Sequence, residues 1–276
     1  MFNPEKTVII SDVDGTFITH SKEYIKRNLD AVKKFQEQGG RFTLATGRVL
    51  QAAEHFFDGG FINFPAILGN GSMIYDTHER KILWNRNLSP DVFPIICEIA
   101  EKFPEISVEI DTPDSIIVCR MTPYEKDHIK AAKFKTYREL PLKEAANLEI
   151  VKTLFAGHPD TITKLCEYQK NQDWQQADFV RSHETFFEVL PRGCNKGTAL
   201  KRIKEMPGMS DCYFVAIGDF YNDLEMLEAA DYAACPGDAI DDVKAVCDYV
   251  CESGYEDGAI AELITEIRNQ KSDVRG

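Results

Sequence analysis

Thr7-Val8-Ile9-Ile10-Ser11-Asp12-Val13-Asp14-Gly15-Thr16 is the stretch from which the rest of the chain is read. Thr7 to Asp12 is a short β-branched run that ends in polar residues, the pattern of a buried strand followed by a loop. In an open parallel sheet, ligands bind beyond the carboxyl ends of the strands. Residues two apart in an extended segment point the same way, so Asp12 and Asp14 converge on one place. A nucleophilic carboxylate beside a second carboxylate for proton transfer is a known catalytic pairing. The same residues also compose an ordinary Asp-Gly turn with solvated acids. The choice between the two rests on what surrounds them.

Outward from this stretch, strands and helices alternate. Ile25, Leu29, Val32 and Phe35 recur at helical spacing, and Gly39-Gly40 closes that helix. Arg41 to Thr46 reads as a second strand, Val49 to Phe57 as a helix, and Ala66 to Gly69 as a third strand. Met73 to Tyr75 and Lys81 to Trp84 form a hairpin pattern. The alternation returns late in the chain, with strands at Tyr213 to Ile217, Tyr232 to Ala234 and Tyr249 to Cys251. Helices are expected at Leu224 to Ala229, Val243 to Cys247 and Ala259 to Ile267. Such alternation predicts an α/β fold, a Rossmann-like doubly wound parallel sheet covered on both faces.

The middle differs. Ser107 to Ile110 and Ser115 to Arg120 flank Pro113-Asp114, and Phe179 to Ser182 and Phe186 to Leu190 flank His183-Glu184, two hairpin signals. Helices are expected over Pro90 to Phe103 and Asp160 to Asn171. The expected organisation is a core of residues 1–84 plus 191–276, with residues 85–190 inserted as an α+β cap domain. The polar end, Asn269 to Gly276, is expected to fray.

Three further motifs fall at predicted strand ends or helix starts. Thr46-Gly47-Arg48 joins a hydroxyl, a close-approach glycine and a helix N-terminus, which suits an anion. Gly193-Cys194-Asn195-Lys196-Gly197 brings a lysine able to offset phosphoryl charge. Gly218-Asp219-Phe220-Tyr221-Asn222-Asp223 follows a strongly apolar strand, and its two acids share a side if a helix starts there. They serve equally as helix-capping acids or as hard oxygen ligands for Mg²⁺. Alone, each motif is also a plain turn or cap. Together they bring four carboxylates to one edge. Two like charges at ~4 Å cost about 4 kcal/mol at an effective dielectric of 20, so such a gathering calls for a cation.

This ordered set resembles the haloacid dehalogenase superfamily, and within it the Cof-type, sugar-phosphatase-like branch with an inserted C2-type cap. The carriers are Asp12-Val13-Asp14-Gly15-Thr16, Ala45-Thr46-Gly47-Arg48, Asn195-Lys196-Gly197 and Gly218-Asp219-Phe220-Tyr221-Asn222-Asp223. Gly69-Asn70-Gly71 and Gly254-Tyr255-Glu256-Asp257-Gly258 also look like that branch. Ser11 departs from the pattern where a bulky apolar residue is common, and Phe17 where leucine is usual. The likeness covers about Lys6 to Trp84 and Pro191 to Ile267.

The resemblance implies a Mg²⁺-dependent phosphatase that hydrolyses a small phosphorylated metabolite through an aspartyl-phosphate. It implies that Asp12 attacks phosphorus, that Asp14 serves as acid and base, and that Lys196 and Thr46 bind phosphoryl oxygens. Gly47 belongs to the same phosphate loop, with Arg48, Asn70 and Asn195 near the substrate. Asp12, Asp14 (through its carbonyl), Asp219 and Asp223 would hold the metal. A phosphomutase on the same fold and a non-catalytic phospho-ligand sensor are the alternatives.

Composition narrows the field. The 276 residues carry a formal charge of −13, which argues against a nucleic-acid scaffold and against an anionic membrane surface. No run of 18 apolar residues and no signal-peptide pattern occurs. The eight cysteines are scattered without a CxxC pair, as expected of reduced, mostly buried thiols in a cytoplasmic protein. A monomer is the default expectation. There is no GxxxxGK[ST] loop, no third glycine to make Gly69-Asn70-Gly71 a dinucleotide fingerprint, and no GxSxG elbow. In the cap, Arg120, Arg181, His183 and Glu188 are the polar candidates beside their ordinary reading as hairpin surface. Trp84 and Trp174 read as packing residues.

Overall fold

Alternation along short apolar strands gives the central sheet two buried faces. The computed structural model describes residues 3–21 and 23–269. The chain begins with β1 (Thr7–Ser11), α1 (Lys26–Gln36), β2 (Arg41–Leu44) and α2 (Leu50–Phe57), then β3 (Ala66–Leu68), β4 (Met73–Asp76) and β5 (Lys81–Asn85). A middle part follows: α3 (Phe93–Lys102), β6 (Val108–Asp111), β7 (Ile116–Arg120), α4 (Pro123–Ala132), β8 (Arg138–Glu139), β9 (Lys152–Ala156), α5 (Pro159–Lys170), β10 (Ala177–His183) and β11 (Phe186–Pro191). The chain ends with α6 (Lys196–Lys204), β12 (Tyr213–Ile217), α7 (Leu224–Ala229), β13 (Tyr232–Cys235), α8 (Asp241–Lys244), β14 (Tyr249–Val250) and α9 (Ala259–Asn269). Of the end expected to fray, only Asn269 lies among the described residues, as the last residue of α9.

The central sheet has the order β14-β13-β12-β1-β2, all parallel. Ile9, Phe42, Leu44, Val215 and Ile217 face one layer with Val32 and Phe35 of α1 and Leu263, Ile264 and Ile267 of α9. Val8, Ile10, Phe214 and Ala216 face the other, with Leu200 and Ile203 of α6 and Met226 and Leu227 of α7. This is a Rossmann-like doubly wound sheet. Buried Asn28 ties the first layer together, its side-chain oxygen accepting from the Ala261 N–H at 3.0 Å.

Ala66 to Leu68 departs from its expected place. It touches the central sheet through a single Ala45–Ile67 bridge and pairs antiparallel with β4 in a three-stranded sheet, β3-β4-β5. The apolar run and short connection to Met73 favour the local hairpin over a full parallel ladder.

The middle part forms a six-stranded sheet, β10-β11-β9-β6-β7-β8, antiparallel except for the β7–β8 pair. Strand alternation sorts its faces. Val108, Ile110, Phe155, Phe187 and Val189 pack under α3 and α5, with Ile96, Ile99, Ile162 and Leu165. Glu109, Lys152, Leu154 and Glu188 lie at the intervening positions and line a cavity shared with the central sheet's carboxyl edge. The six-stranded unit is thus an inserted α+β cap. All eight cysteines are free thiols; Cys194, Cys235 and Cys251 are buried and the other five half-buried, more exposure than expected. No helix among the described residues is long and apolar enough to cross a membrane.

Candidate active site

Register explains why motifs far apart in sequence meet. Ser11 stands opposite Ile217 on one side of β1 and Leu44 on the other. The residues that follow these three strand ends therefore emerge side by side: Asp12 after β1, Gly218-Asp219 after β12, and Ala45-Thr46 after β2. Backbone bonds from Asp12 N–H to Ile217 O (2.9 Å) and from Ala45 N–H to Ser11 O (2.8 Å) carry the ladder to the site's edge.

Lys196 sits at the centre. It is the first residue of α6, whose N-cap Asn195 accepts from the Thr198 N–H at 2.7 Å while the Thr198 hydroxyl accepts from Asn195 N–H. That reciprocal cap fixes where the helix starts, and so where Lys196 points. The Lys196 side chain is fully buried, and its ammonium donates to Asp12 Oδ1 at 2.5 Å and to Asp223 Oδ1 at 2.6 Å. Burial alone would lower the lysine's pKa, but Asp12 and Asp223 carry it above the usual lysine value, so it stays charged.

One ammonium faces three carboxyls. Asp12, Asp219 and Asp223 each offer an oxygen within 4.8 Å of the others. Burial pushes the Asp12 carboxyl well above the usual carboxylate range; Lys196 pulls the other way, and Asp223 and Asp219 add to the rise. Burial, reinforced by Asp223, lifts Asp219 to about 7. The group is short of positive charge, and its hard oxygen donors fit a divalent cation. Backbone N–H groups of Asp219 and Phe220 donate to Asp223 Oδ2 at 3.1 and 3.2 Å, and the Thr16 hydroxyl donates to Asp219 Oδ1 at 2.8 Å. Gly15 lies across from Asp219 at φ 93°, and a Cβ there would come within 2.5 Å of Asp219 Oδ2. Only glycine leaves room for the carboxylate.

Asp14 stands apart from this triad. Its carboxylate takes a bidentate pair from Arg48, Nε and Nη2 each at 2.8 Å. Arg48 also lies over the Phe56 ring at 5.4 Å. Thr46 accepts through its hydroxyl from the Arg48 N–H at 3.1 Å, and its carbonyl accepts from the Asn70 N–H at 3.0 Å. Asn70 adopts a left-handed φ of 52° between two glycines that also have positive φ. The turn lets Gly71 abut the Asn195 backbone, where a Cβ would fall 2.1 Å from the carbonyl oxygen. Asp12, Asp14, Thr46, Gly47, Arg48 and Asp219 all line the cavity, of about 790 Å³. Asn195 is spent as the helix cap, and Arg48 as the partner of Asp14.

The cap reaches into this edge. Asn70 donates to Glu188 Oε2 at 2.6 Å and accepts from Asn222 at 3.1 Å. Lys152 donates to the Gly47 carbonyl at 3.1 Å and lies 3.5 Å from both Glu188 and Asp111. Glu188 therefore proves buried rather than hairpin surface. Lys152 was not legible among the candidates, although a charge at every second position of apolar strands (Glu109, Asp111, Lys152, Glu188) marks a second, polar face. Arg120 instead bonds the Phe103 and Ile106 carbonyls, and Arg181 the Glu184 carbonyl. Trp84 stacks under Arg202 at 4.3 Å, and Trp174 packs on Tyr168 and Phe179.

Residues 9–264 match the family model of haloacid dehalogenase-like hydrolases. The chain is 27% identical to the pyridoxal phosphate phosphatase YbhA of Escherichia coli (strain K12), over 93% of this chain and 97% of that one. It is 24% identical to the 5-amino-6-(5-phospho-D-ribitylamino)uracil phosphatase YitU of Bacillus subtilis (strain 168), over 94% and 96%. It also matches the chloroplastic endoribonuclease YBEY of Arabidopsis thaliana at 24% identity, over 96% of this chain but about half (47%) of that longer protein. Among solved structures, a haloacid dehalogenase-like hydrolase from Bacteroides thetaiotaomicron superimposes with a TM-score of 0.83 at 24% identity, over 95% of this chain and 99% of the other. With the motif residues gathered at one sheet edge under an inserted cap, the chain belongs to the haloacid dehalogenase-like hydrolases, in their Cof-type branch.

Proposed function

We propose that this hydrolase is a Mg²⁺-dependent phosphatase acting on a small phosphorylated metabolite through an aspartyl-phosphate on Asp12. The observation that carries the reading is the fully buried Lys196 bridging Asp12 and Asp223 beside Asp219. The phosphatase relatives support the reaction class. Residues 1–84 plus 191–276 are the catalytic core in this reading and 85–190 the cap.

Phosphoryl transfer has a loose transition state, so in-line placement and charge stabilisation do most of the work. Asp12, Asp219 and Asp223, with the Asp14 carbonyl, would hold Mg²⁺, which would supply neutralisation of the phosphoryl oxygens' charge. Lys196 neutralises the same charge from the core side and holds Asp12 in line. Thr46 orients a phosphoryl oxygen from the end of β2. Asp14 hands a proton to the leaving oxygen and later takes one from the attacking water. Arg48 clamps Asp14 through both carboxylate oxygens and so holds it at the cavity wall. The cap covers the cavity and excludes water.

The test is release of inorganic phosphate from a generic aryl phosphate and a panel of phosphorylated metabolites. Turnover is expected with Mg²⁺ and is lost with a chelator. Metal-independent turnover, or none on any phosphomonoester, overturns the reading.

A second expectation concerns pH. Burial lifts the folded Asp219 carboxyl to about 7, against about 4 for an ordinary aspartate, so between those values the folded state binds the extra proton. Its contribution is complete below about 4 and is lost as pH rises through about 7. Without divalent cation, Tm is therefore expected to fall from pH 5 to pH 8. Mg²⁺ takes the proton's place and is expected to raise Tm more at pH 8 than at pH 5. Thermal melts at both values, with and without Mg²⁺, check this.

A further inference from the structure

We propose that the cap's polar sheet face selects a leaving group that bears no negative charge and presents a flat apolar face, and rejects one with a second anionic group. The proposal rests on the phosphomonoester reading above.

The cavity, of about 790 Å³, has room beyond the phosphoryl site for one ring system. Charge decides what enters that room. On the cap side its lining holds Glu109, Asp127, Glu184 and Glu188 against one lysine, Lys152. That lysine is already committed: Glu188 and Asp111 lie 3.5 Å from it, and it donates to the Gly47 carbonyl. Burial drives His128 toward its neutral form, and it drives Glu109 the same way. Asp127 and Glu184 are exposed acids at the mouth. On the core side, Arg48 is held by Asp14. A second phosphate or a carboxylate on the leaving group would meet acids at the mouth, while the lysine and arginine of the lining, Lys152 and Arg48, are already paired with Glu188 and Asp14, and His183 shares its Nδ1 with the Thr185 hydroxyl at 2.8 Å. Rejection by like charge is a specificity device that needs no direct contact.

The remaining wall is aromatic. Tyr124, Phe134 and Phe186 line the cavity. His128 meets the edges of Phe134 (5.3 Å, 89°) and Phe186 (4.9 Å, 71°), so the rings hold one another in place. A fixed aromatic wall favours a ring over a flexible polyol, because a ring loses little freedom on stacking.

The experiment compares two benzyl phosphates with the same primary alkoxide and nearly the same shape, one para-carbamoyl and one para-carboxylate, with Mg²⁺. The expected result is a kcat/KM for the carbamoyl compound at least about tenfold higher, the gap narrowing with salt. Glu184→Lys and Asp127→Lys, at exposed positions, are each expected to shrink that ratio severalfold. Unsubstituted benzyl phosphate is expected to outrun glycerol 3-phosphate. Equal rates for the charged and uncharged pair, a ratio unmoved by both charge reversals, or preference for the glycerol ester overturns the proposal. Non-hydrolysable phosphonates of the same pair, followed by calorimetry, separate the two readings. Discrimination in binding without turnover of any ester leaves this proposal standing and sinks the phosphatase reading. Turnover without discrimination does the reverse.

Discussion

Asp12→Asn is expected to lower kcat by at least about 10⁴-fold, the scale seen when a covalent nucleophile is removed. The substitution keeps size and shape at a site 5% exposed, where repacking would otherwise confuse the result. The amide oxygen still accepts from Lys196, but the amide cannot attack phosphorus. The fold should not suffer. Asp12 is one of three carboxyls sharing one ammonium, and its pKa is raised by burial, so its charge is a strain on the folded state. Tm is expected to hold or rise. Orthophosphate is expected still to bind with Mg²⁺, read by calorimetry, while steady-state phosphate release disappears. Near-full turnover by this variant would remove Asp12 as nucleophile.

Lys196→Met is expected to fail in both stability and rate. The ammonium is fully buried and bonded to two carboxylates, and its removal leaves Asp12 and Asp223 facing each other uncompensated. Breaking a buried ion pair from one side costs about 3–5 kcal/mol. At this chain length that corresponds to a Tm lower by on the order of 10 °C. Loss of one preorganised charge at the reacting group lowers kcat about 10²–10³-fold or more. The two effects separate by two further measurements. Mg²⁺ is expected to restore part of the Tm, since it also neutralises the acids, without restoring the rate. Adding Asp223→Asn to Lys196→Met is expected to recover stability by removing one of the stranded charges. A Lys196→Met protein as stable and as active as the parent would contradict the geometry.

Much of the core was legible because its signals are local. β1 and β12 are apolar runs that stop at an acid, and their parallel pairing follows from alternation with helices. Those signals alone bring Asp12, Asp14, Asp219 and Asp223 to one edge. Legibility failed where position depends on a partner strand. Ala66 to Leu68 has the composition of a core strand, and only its short link to Met73 marks it for the hairpin. β9 was missed because its run opens with Lys152, a charge that reads as loop until Glu188 and Asp111 stand beside it. α4 was missed too: Thr122 accepts from Glu125 N–H and Pro123 begins the helix, but few apolar residues follow to declare a buried face. Both elements bound the cavity, so the sequence marks the motif residues at the sheet edge and leaves the shape around them unread. Arg48 was placed near the substrate, while its tie to Asp14 needed the fold.

The position of β1 between β2 and β12 has a consequence for how the chain is made. Its β2 edge can pair as soon as Leu44 is synthesised, whereas the other edge waits for Tyr213 to Ile217. At about 5–20 residues per second, that wait lasts on the order of ten to thirty seconds. Throughout it, Val8-Ile9-Ile10 presents an unpaired apolar strand edge, the kind that other chains add to. The β3-β4-β5 sheet and then all the cap strands are synthesised within that interval, so both are free to complete before the central sheet. That open edge gives the nascent chain an aggregation hazard which the finished sheet, with β1 paired on both sides, no longer presents at this strand.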